Sequence, residues 1–510
     1  MDELHVRLSQ PLLQRIIPLL PSGVPIYLVG GAVRDAFLNR QSYDLDFVTS
    51  GDALKIARKL ADDLDAAYFP LDSVRKVARF ILRPCEKLIL NGIKVIRVDF
   101  STFQGVDLIS DLQGRDFSIN AMAVEVHQLQ TLVDPMSGMA DLVARRLRSC
   151  SPRSFLDDPV RILRAVRFSV DLDLNIIPDT FQQMRQAVSH LSEVSTERLR
   201  DELFRILVTA HSSTSMRILD KVQALEYVLP EVRELKDVQQ SPPHVLDVWN
   251  HTIDILNRLE SLLDVLRPDY DPNKAGNLNL GLVALRLGRY RQQLAEHLSN
   301  ALNTDRPHRG LLFLAGLYHD VGKLATQSVD EFERTKFIGH EQIGSKLAEK
   351  RGQVLKLSNL EIERLVTIVK YHMRPSLLSH PKDPPSKKAV YHFFRDTGEA
   401  GVDICILSLA DMLATYGPTL PQDRWMRHLD VVRMLLGAWW EDREERIFPP
   451  PFVNGEDLMT ELATSEGPMI GYMLESIREA QVVGDVQNRQ EAINLAREIL
   501  ERNLNKKRAK

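Results

Sequence analysis

The stretch QSYDLDF at residues 41–47 sets two carboxylates, Asp44 and Asp46, two positions apart in what otherwise reads as a strand. Residues i and i+2 of a strand project from one face, so the two acids stand together while Leu45 turns into a core. Aspartate is a poor strand former and adjacent anions repel, so the pair calls for a partner. A divalent cation suits it, because its oxygen ligands are typically carboxylates. Upstream, the strand-like IYLVG (26–30) runs into Gly31 and a helix opening at Ala32, with Arg34 in its first turn. Such a junction offers backbone N–H groups to an anion, and the arginine can take a phosphate with two hydrogen bonds. Alone it reads as a turn; beside a carboxylate pair it reads as half of a site for metal-assisted phosphoryl or nucleotidyl transfer. There, two Mg²⁺ ions would bridge a triphosphate and activate an attacking hydroxyl.

A second set of chemically capable residues lies further on. His319 and Asp320 are adjacent in LYHDVGK, His251 precedes them, and His340, His372 and Asp411 follow, each in an apolar helical context. Consecutive helical residues diverge by about 100°, so His319 and Asp320 reach one point only if the helix adapts locally. Burying four histidines and two aspartates without a shared partner would be costly.

Two kinds of element must position these groups. Residues 1–150 mix short strands, ARFIL (78–82), IKVIRVDF (93–100), AMAVEV (121–126) and TLVD (131–134), with helical patterns such as GDALKIARKLADDL (51–64). From about residue 155 the pattern is helical throughout, with no convincing strand. Proline-rich or polar breaks at 241–244, 267–277, 380–388 and 448–452 mark boundaries or long connections. At 510 residues the chain is too long for one core. The expected class is α+β: a mixed-sheet head (1–150), a helical neck (151–237), a helical body (238–445) and a tail (446–510).

Composition sets limits. A net charge of −4 means that any nucleic acid must be gripped by local basic surfaces. Cys85, Cys150 and Cys405 are widely spaced, which argues against a disulfide framework or a cysteine zinc site and for a reducing compartment. The amphipathic N-terminus carries Asp2 and Glu3 in place of a basic region, and no uninterrupted apolar run reaches about 18 residues. A cytoplasmic protein without membrane association is expected; nothing in the sequence sets its oligomeric state.

LVGGAVRD followed by YDLDF resembles the first motif of the class II tRNA nucleotidyltransferase and bacterial poly(A) polymerase family, whose heads belong to the DNA polymerase β superfamily. GRDFSINAMA (114–123), LVDPMSGMADLVARRLR (132–148), FLDDPVRILRAVRF (155–168) and TERLRDELFRIL (196–207) resemble its later motifs, in the expected order. The resemblance implies that Asp44 and Asp46 ligate catalytic Mg²⁺, with Asp99 either a third metal-proximal acid or a structural acid paired with an arginine. It implies that Gly31 and Arg34 hold the triphosphate, with Arg115 and Asn120 near phosphates or sugar. Asp158 and Arg161 would read the base edge as a protein template, helped by Arg164. An acid and a forked donor three apart on a helix can match cytosine's amine beside its N3 and O2, or, rearranged, adenine's amine and N1. The plain alternative for Asp158-Pro159 is a helix cap with proline at the first position. Asp35 and Asp116 read as orienting acids, and Arg167 as a surface charge.

The histidine series resembles the HD superfamily, commonly metal-dependent phosphohydrolases. That likeness implies His251, His319, Asp320 and Asp411 as ligands of a divalent transition metal, with His340 and His372 completing a second site or binding phosphate. FVNGEDLM (452–459) and residues 467–492 resemble the family's tRNA-contacting C-terminal module. The implied activity is template-independent addition of CMP, as CC or within full CCA, to the 3′ end of tRNA from CTP and ATP, with the acceptor arm held by shape and backbone. Arg115 follows Asp99 by only sixteen positions, where CCA-adding relatives carry a longer flexible loop, and Gly114 replaces an arginine of the motif. A short link has little reach for reshaping a base pocket, which favours CC addition. Three other readings stand beside it: a poly(A) polymerase, an HD phosphohydrolase with a vestigial head, and an RNA-binding protein without catalysis.

Overall fold

The structure, a computed structural model, describes residues 11–83, 96–129, 131–271, 276–303, 306–379 and 383–508. Cys85 and the first ten residues lie outside them. The chain divides into two compact units, one of Met1–Ser195 with Ile218–Tyr227, the other of Thr196–Arg217 with Val228–Lys510.

The first unit is built on a seven-stranded sheet of order β3-β4-β5-β2-β1-β6-β7. Its strands are β1 (Ile26–Val29), β2 (Asp44–Thr49), β3 (Ala67–Asp72), β4 (Val77–Leu82), β5 (Ile96–Thr102), β6 (Ala123–Glu125) and β7 (Leu132–Val133). Among the described strands of this sheet only β2 and β5 pair in parallel. Period-two alternation sorts β2 cleanly. Leu45 and Phe47 enter a core with Ile26, Leu28, Val98 and Phe100, covered by α1 (Gly31–Phe37) and α2 (Ala53–Asp63). Asp44, Asp46 and Val48 take the opposite face. Phe47 stacks on Phe100 at 4.8 Å between centroids, and burying each such ring contributes roughly 1.5–3 kcal/mol. Helix α2 follows its pattern: Asp52 caps it by accepting from the Lys55 N–H, and Ala53, Ala57, Leu60 and Ala61 form its buried stripe. Helices α3 (Leu108–Gln113) and α4 (Arg161–Asp171) complete the elements around the acids.

β3 is missing from the sequence-based reading. It is an edge strand, largely exposed and carrying Pro70, so it lacks the alternating apolar signal. The expectation of no strand beyond residue 155 also needs correction. Asn175–Ile176 pairs with Arg146–Leu147, Ala301–Asn303 with Arg306–Pro307, and Gln327–Val329 with Thr335–Phe337. Pairs two or three residues long are too short to show a period.

The second unit is otherwise helical. Its principal helices are α5 (Thr196–Leu207), α6 (Val248–Val265), α7 (Arg291–Ser299), α8 (His308–Tyr318), α9 (His340–Val354), α10 (Asn359–Tyr371), α11 (Lys387–Thr397), α12 (Ala400–Tyr416) and α13 (Gln422–Trp440). α6 packs on α8 and α12, α8 on α10, and α9 along α10. Among the described residues one stretch, Ala400–Thr419, is long and apolar enough to cross a membrane, and it is a buried core helix of this unit. Helices α14 (Pro468–Val483) and α15 (Arg489–Arg508) share a small core of their own, with Leu458, Ile470, Met473, Ile477, Ile493 and Ala496. Tyr391 and His392 of α11 hydrogen-bond Glu475 and Glu479 of α14.

Candidate active site

Asp46 sits at the centre of the head's polar face. Its register partners are Val29 on β1 and Asp99 on β5, so it lies beside the Gly30 turn on one side and a second acid on the other. Gly30 caps α1 at φ 70°, ψ −134°, a conformation essentially reserved for glycine. A Cβ there would lie 3.1 Å from Arg115 Nη1 and 3.3 Å from Asp46 Oδ2, so the missing side chain is what lets cation, carboxylate and turn converge. Burial first, then the charges of Asp99 and Asp44, push the Asp46 carboxyl up to about 6 despite Arg115 and Arg164. An anion destabilised in this way, with a second carboxylate two residues away, is a donor set that a hard divalent cation would relieve. Gly30→Ala is expected to cost about 1–3 kcal/mol in a denaturant titration. It should also slow the head's chemistry about tenfold or more, by displacing Arg115 or Asp46.

Asp99 accepts from Arg79 Nε and Nη2 at 2.7 and 2.8 Å, an ion pair across β4 and β5. Asp44, mostly exposed, has Arg97 Nη1 at 3.9 Å. Arg34 is buried, and its guanidinium donates to Asp35 at 2.9 and 2.7 Å and to Asn120 Oδ1 at 2.7 Å. Asn120 in turn donates to Asp116 Oδ1 at 3.0 Å, and Asp116 Oδ2 accepts from Arg164 Nε and Nη2 at 2.9 and 2.5 Å. Although burial opposes it, this set, led by the Arg164 charge, holds Asp116 below the usual carboxylate range. Phe168 gathers the guanidinium groups of Arg34, Arg164 and Arg167 over its ring at 5.1, 5.3 and 4.4 Å. Arg167, read from sequence as a surface charge, therefore has an aromatic seat.

A cavity of about 340 Å³ opens next to this network, lined by Gln104, Asp111, Arg115, Asp158, Arg161 and Arg164 among others. Arg161 is the first residue of α4, and its Nε lies 3.8 Å from Asp158 Oδ2. Arg161 is pinned from behind, donating to Ser154 Oγ at 2.9 Å, to the Arg115 carbonyl at 3.3 Å and to the Gly114 carbonyl at 3.0 Å. The start of α4 carries no side-chain cap on Val160, while Asp158 is extended and its carbonyl accepts from the Arg161 N–H at 3.1 Å, the backbone geometry of a residue that precedes a helix. Arg115 donates to Asp111 at 3.3 Å, while its buried Nε has no hydrogen-bond partner among the described residues.

The link from β5 to α3, residues 103–107, is fastened at both ends. The Phe103 N–H donates to the Thr49 carbonyl at 3.1 Å and the Gln104 N–H to buried Asp111 at 2.9 Å. The Gln104 amide donates to the carbonyls of Thr102 and Arg75. Asp107 and Ser110 close a capping box that starts α3.

In the second unit, α8 ends at Tyr318, which is the local adaptation that lets His319 and Asp320 meet. His319 Nε2 is 3.1 Å from Asp320 Oδ2 and 3.4 Å from His251 Nε2. His251 Nε2 is 3.3 Å from Asp411, and His340 Nε2 is 3.3 Å from Asp320 Oδ1. His372 joins Asp320 and His340 in the same cluster. His319, His340 and His372 each set Nδ1 2.7–2.8 Å from the carbonyl three residues back. That bond fixes the tautomer and turns Nε2 inward, the arrangement of metal-ligating histidines. Burial first, then the charge on His319, lowers His372 to about 4 and keeps its imidazole neutral. The donor set fits a divalent cation. Lys323, which sequence reasoning passed over, fills the centre's edge: its Nζ donates to Asp320 at 2.7 Å and to Gln240 at 2.8 Å. His244 was also missed, and lines the adjoining cavity of about 360 Å³ with Phe337, Ile338 and Met373.

Comparison with known proteins places four family profiles along the chain. The profile of the poly A polymerase head domain matches residues 26–148, that of the RNA- and SrmB-binding site of polymerase A matches 173–235, and the HD domain matches 284–416. A tRNA nucleotidyltransferase domain 2 profile matches 452–496. The chain is 30% identical to an A-adding tRNA nucleotidyltransferase of Deinococcus radiodurans, over 93% of this chain and 95% of that one. It is 27% identical to a CC-adding tRNA nucleotidyltransferase of Thermus thermophilus, over 91% of each. The solved complex of a CCA-adding enzyme with ATP has the same fold, with a TM-score of 0.61 and 22% identity over 99% of this chain and 98% of that one.

Proposed function

Because this chain belongs to the tRNA nucleotidyltransferases built on the poly(A) polymerase head, we propose that it adds CMP to the 3′ end of tRNA from CTP, and that it stops after the second cytidine. The relatives include both A-adding and CC-adding enzymes at similar identity, so overall likeness does not select the base. One observation carries the choice: Gln104 of the fastened link lines the same cavity as Asp158 and Arg161. A template pinned by Ser154, Gly114 and Arg115, facing a link tied to Thr49 and Asp111, has no lever with which to re-form itself for adenine.

The reaction is attack of the terminal tRNA 3′ hydroxyl on the α-phosphorus of CTP, forming a phosphodiester and expelling pyrophosphate. Asp44 and Asp46 would hold Mg²⁺, which when bound lowers the pKa of the attacking hydroxyl and neutralises the triphosphate. Gly30 and Gly31 keep the turn open so that the triphosphate can approach the backbone, and Arg115 brings its spare buried donor to it. Arg79 holds Asp99 as a fixed charge behind the metal-binding acids. Arg34 acts through Asn120, and Asp116 through Arg164, keeping the wall of the nucleotide cavity in register. Asp158 accepts cytosine's amine while Arg161 donates to its N3 and O2 edge. UTP and GTP would leave these groups facing donors and acceptors of the wrong sign. His251, His319, Asp320 and Asp411 of the HD body would hold a divalent transition metal, with His340 and His372 beside them completing a second site. A cytoplasmic setting, where tRNA and CTP coexist, suits both buried thiols described, Cys150 and Cys405.

The test is incorporation with CTP and ATP on tRNA lacking the whole terminal CCA, lacking CA and lacking only A. Two cytidines should be added to the first, one to the second, and the third should remain unextended with either nucleotide. Efficient adenylation of the third would overturn the link argument, and AMP addition to any RNA would overturn the tRNA reading.

A further inference from the structure

A second buried cluster shares no residue with the centre built around Asp320. His297 on α7, His308 at the start of α8, Glu399 at the N-cap of α12 and Asp403 one turn further meet Arg364 of α10. His297, His308, Arg364 and Asp403 are all buried, while Glu399 is 43% exposed at its side chain. His297 Nε2 faces Asp403 Oδ1 at 3.2 Å, and Arg364 Nη2 lies 3.0 Å from the same nitrogen. Arg364 then clamps the acids, Nη2 to Asp403 Oδ2 at 2.6 Å and Nη1 to Glu399 Oε2 at 2.9 Å. His297, His308 and Glu399 nonetheless converge on one point. His297 Nδ1 is 3.6 Å from Glu399 Oε1, too long for a good hydrogen bond. His308, 2% exposed with its ring 5.2 Å from that of His297, has no hydrogen bond on either nitrogen. A ligand atom from each of His297, His308 and Glu399 falls within 4.8 Å of the others.

We propose that His297, His308 and Glu399 bind a divalent cation of the zinc class. Two imidazoles and a carboxylate are a donor set of that class, and a fourth position toward the exposed side of Glu399 is left for water. Asp403 accepts the Nε2 proton of His297 and leaves Nδ1 for the metal, the carboxylate–histidine relay that orients metal ligands. A cation also answers why His308 is buried with both nitrogens unsatisfied, an arrangement that otherwise carries a desolvation penalty without return. The site would tie α7, α8 and the start of α12 together.

The experiment uses the full chain, stripped of metal and kept in excess Mg²⁺ to occupy the head. Its HD centre is disabled by His251→Ala with Asp320→Asn. Equilibrium dialysis against Zn²⁺ should leave one equivalent bound, and Co²⁺ in its place should give tetrahedral visible absorption. Adding His308→Ala or Glu399→Gln should abolish both signals. Asp403→Asn should weaken binding by about ten- to hundredfold. Glu399→Gln, at a partly exposed position, carries the test if His308→Ala fails to fold. Absence of the retained equivalent in the disabled background, or its survival of Glu399→Gln and His308→Ala alike, would overturn the proposal.

Discussion

Asp46→Asn is expected to reduce nucleotide incorporation by roughly a thousandfold or more, while leaving the head at least as stable as before. The kinetic part follows from the chemistry: a metal at a phosphoryl centre supplies several kcal/mol of charge stabilisation, and each 1.36 kcal/mol is a factor of about ten. The stability part follows from the surroundings of Asp46. Burial, then Asp99 and Asp44, raise its carboxyl to about 6 in the folded head. A carboxylate whose folded pKa lies above its unfolded value is a liability at neutral pH, and stability is regained as pH falls through about 6. Asparagine removes that liability, so the metal-free variant should show a thermal midpoint that no longer rises between pH 7 and pH 5 at this group. Divalent cation should raise the midpoint of the unmodified chain at pH 7 and do so less in the variant. Incorporation within tenfold of the unmodified chain would remove Asp46 from the metal-binding role. The same variant separates the two halves of the enzyme, because any hydrolysis at the Asp320 centre should persist in it.

The two acids of QSYDLDF were legible because a strand's period of two makes their common face a matter of counting, and Gly30, Gly31 and Arg34 lie in one continuous stretch before them. The histidine and aspartate cluster of the HD body was legible for a different reason: its members are polar residues in apolar surroundings, and buried polar groups demand a partner. Partnerships across elements were not legible. Asp35 could be read as an orienting acid beside Arg34, but nothing in the order of residues says that Arg34 also donates to Asn120, or that Phe168 seats three arginines. Asp158-Pro159 carries a capping signal that the backbone follows, Asp158 being extended with its carbonyl accepting from the Arg161 N–H. The His297 cluster is the extreme case. Its members come from four helices, with His297 and Asp403 separated by 106 positions, and none sits in a recognisable dipeptide.

Asp158→Asn should collapse discrimination between CTP and UTP without comparable loss of tRNA binding. Asp158 and Arg161 face one cavity, and the arginine is held by the carbonyls of Gly114 and Arg115 and by Ser154, so the pair offers a fixed acceptor beside a fixed donor. Cytosine matches that pattern with its amine and its N3 and O2 acceptors; uracil turns an oxygen toward the acid and an N–H toward the arginine. A buried site built for hydrogen bonds rejects the wrong pattern by about 10⁴-fold or more, because its own groups are left unpaired. An asparagine amide supplies both an acceptor and a donor, and can rotate to meet either base. The ratio of kcat/KM for CTP over UTP, measured on tRNA lacking CCA, should therefore fall by about 10²–10³-fold, mostly through a gain with UTP. Arg161→Ala should act differently, lowering kcat/KM for CTP itself, because it removes a donor that no neighbour replaces and frees the backbone it braces. An unchanged CTP/UTP ratio in Asp158→Asn would place base selection elsewhere in the cavity, with Gln104 and Arg164 among the other polar groups that line it.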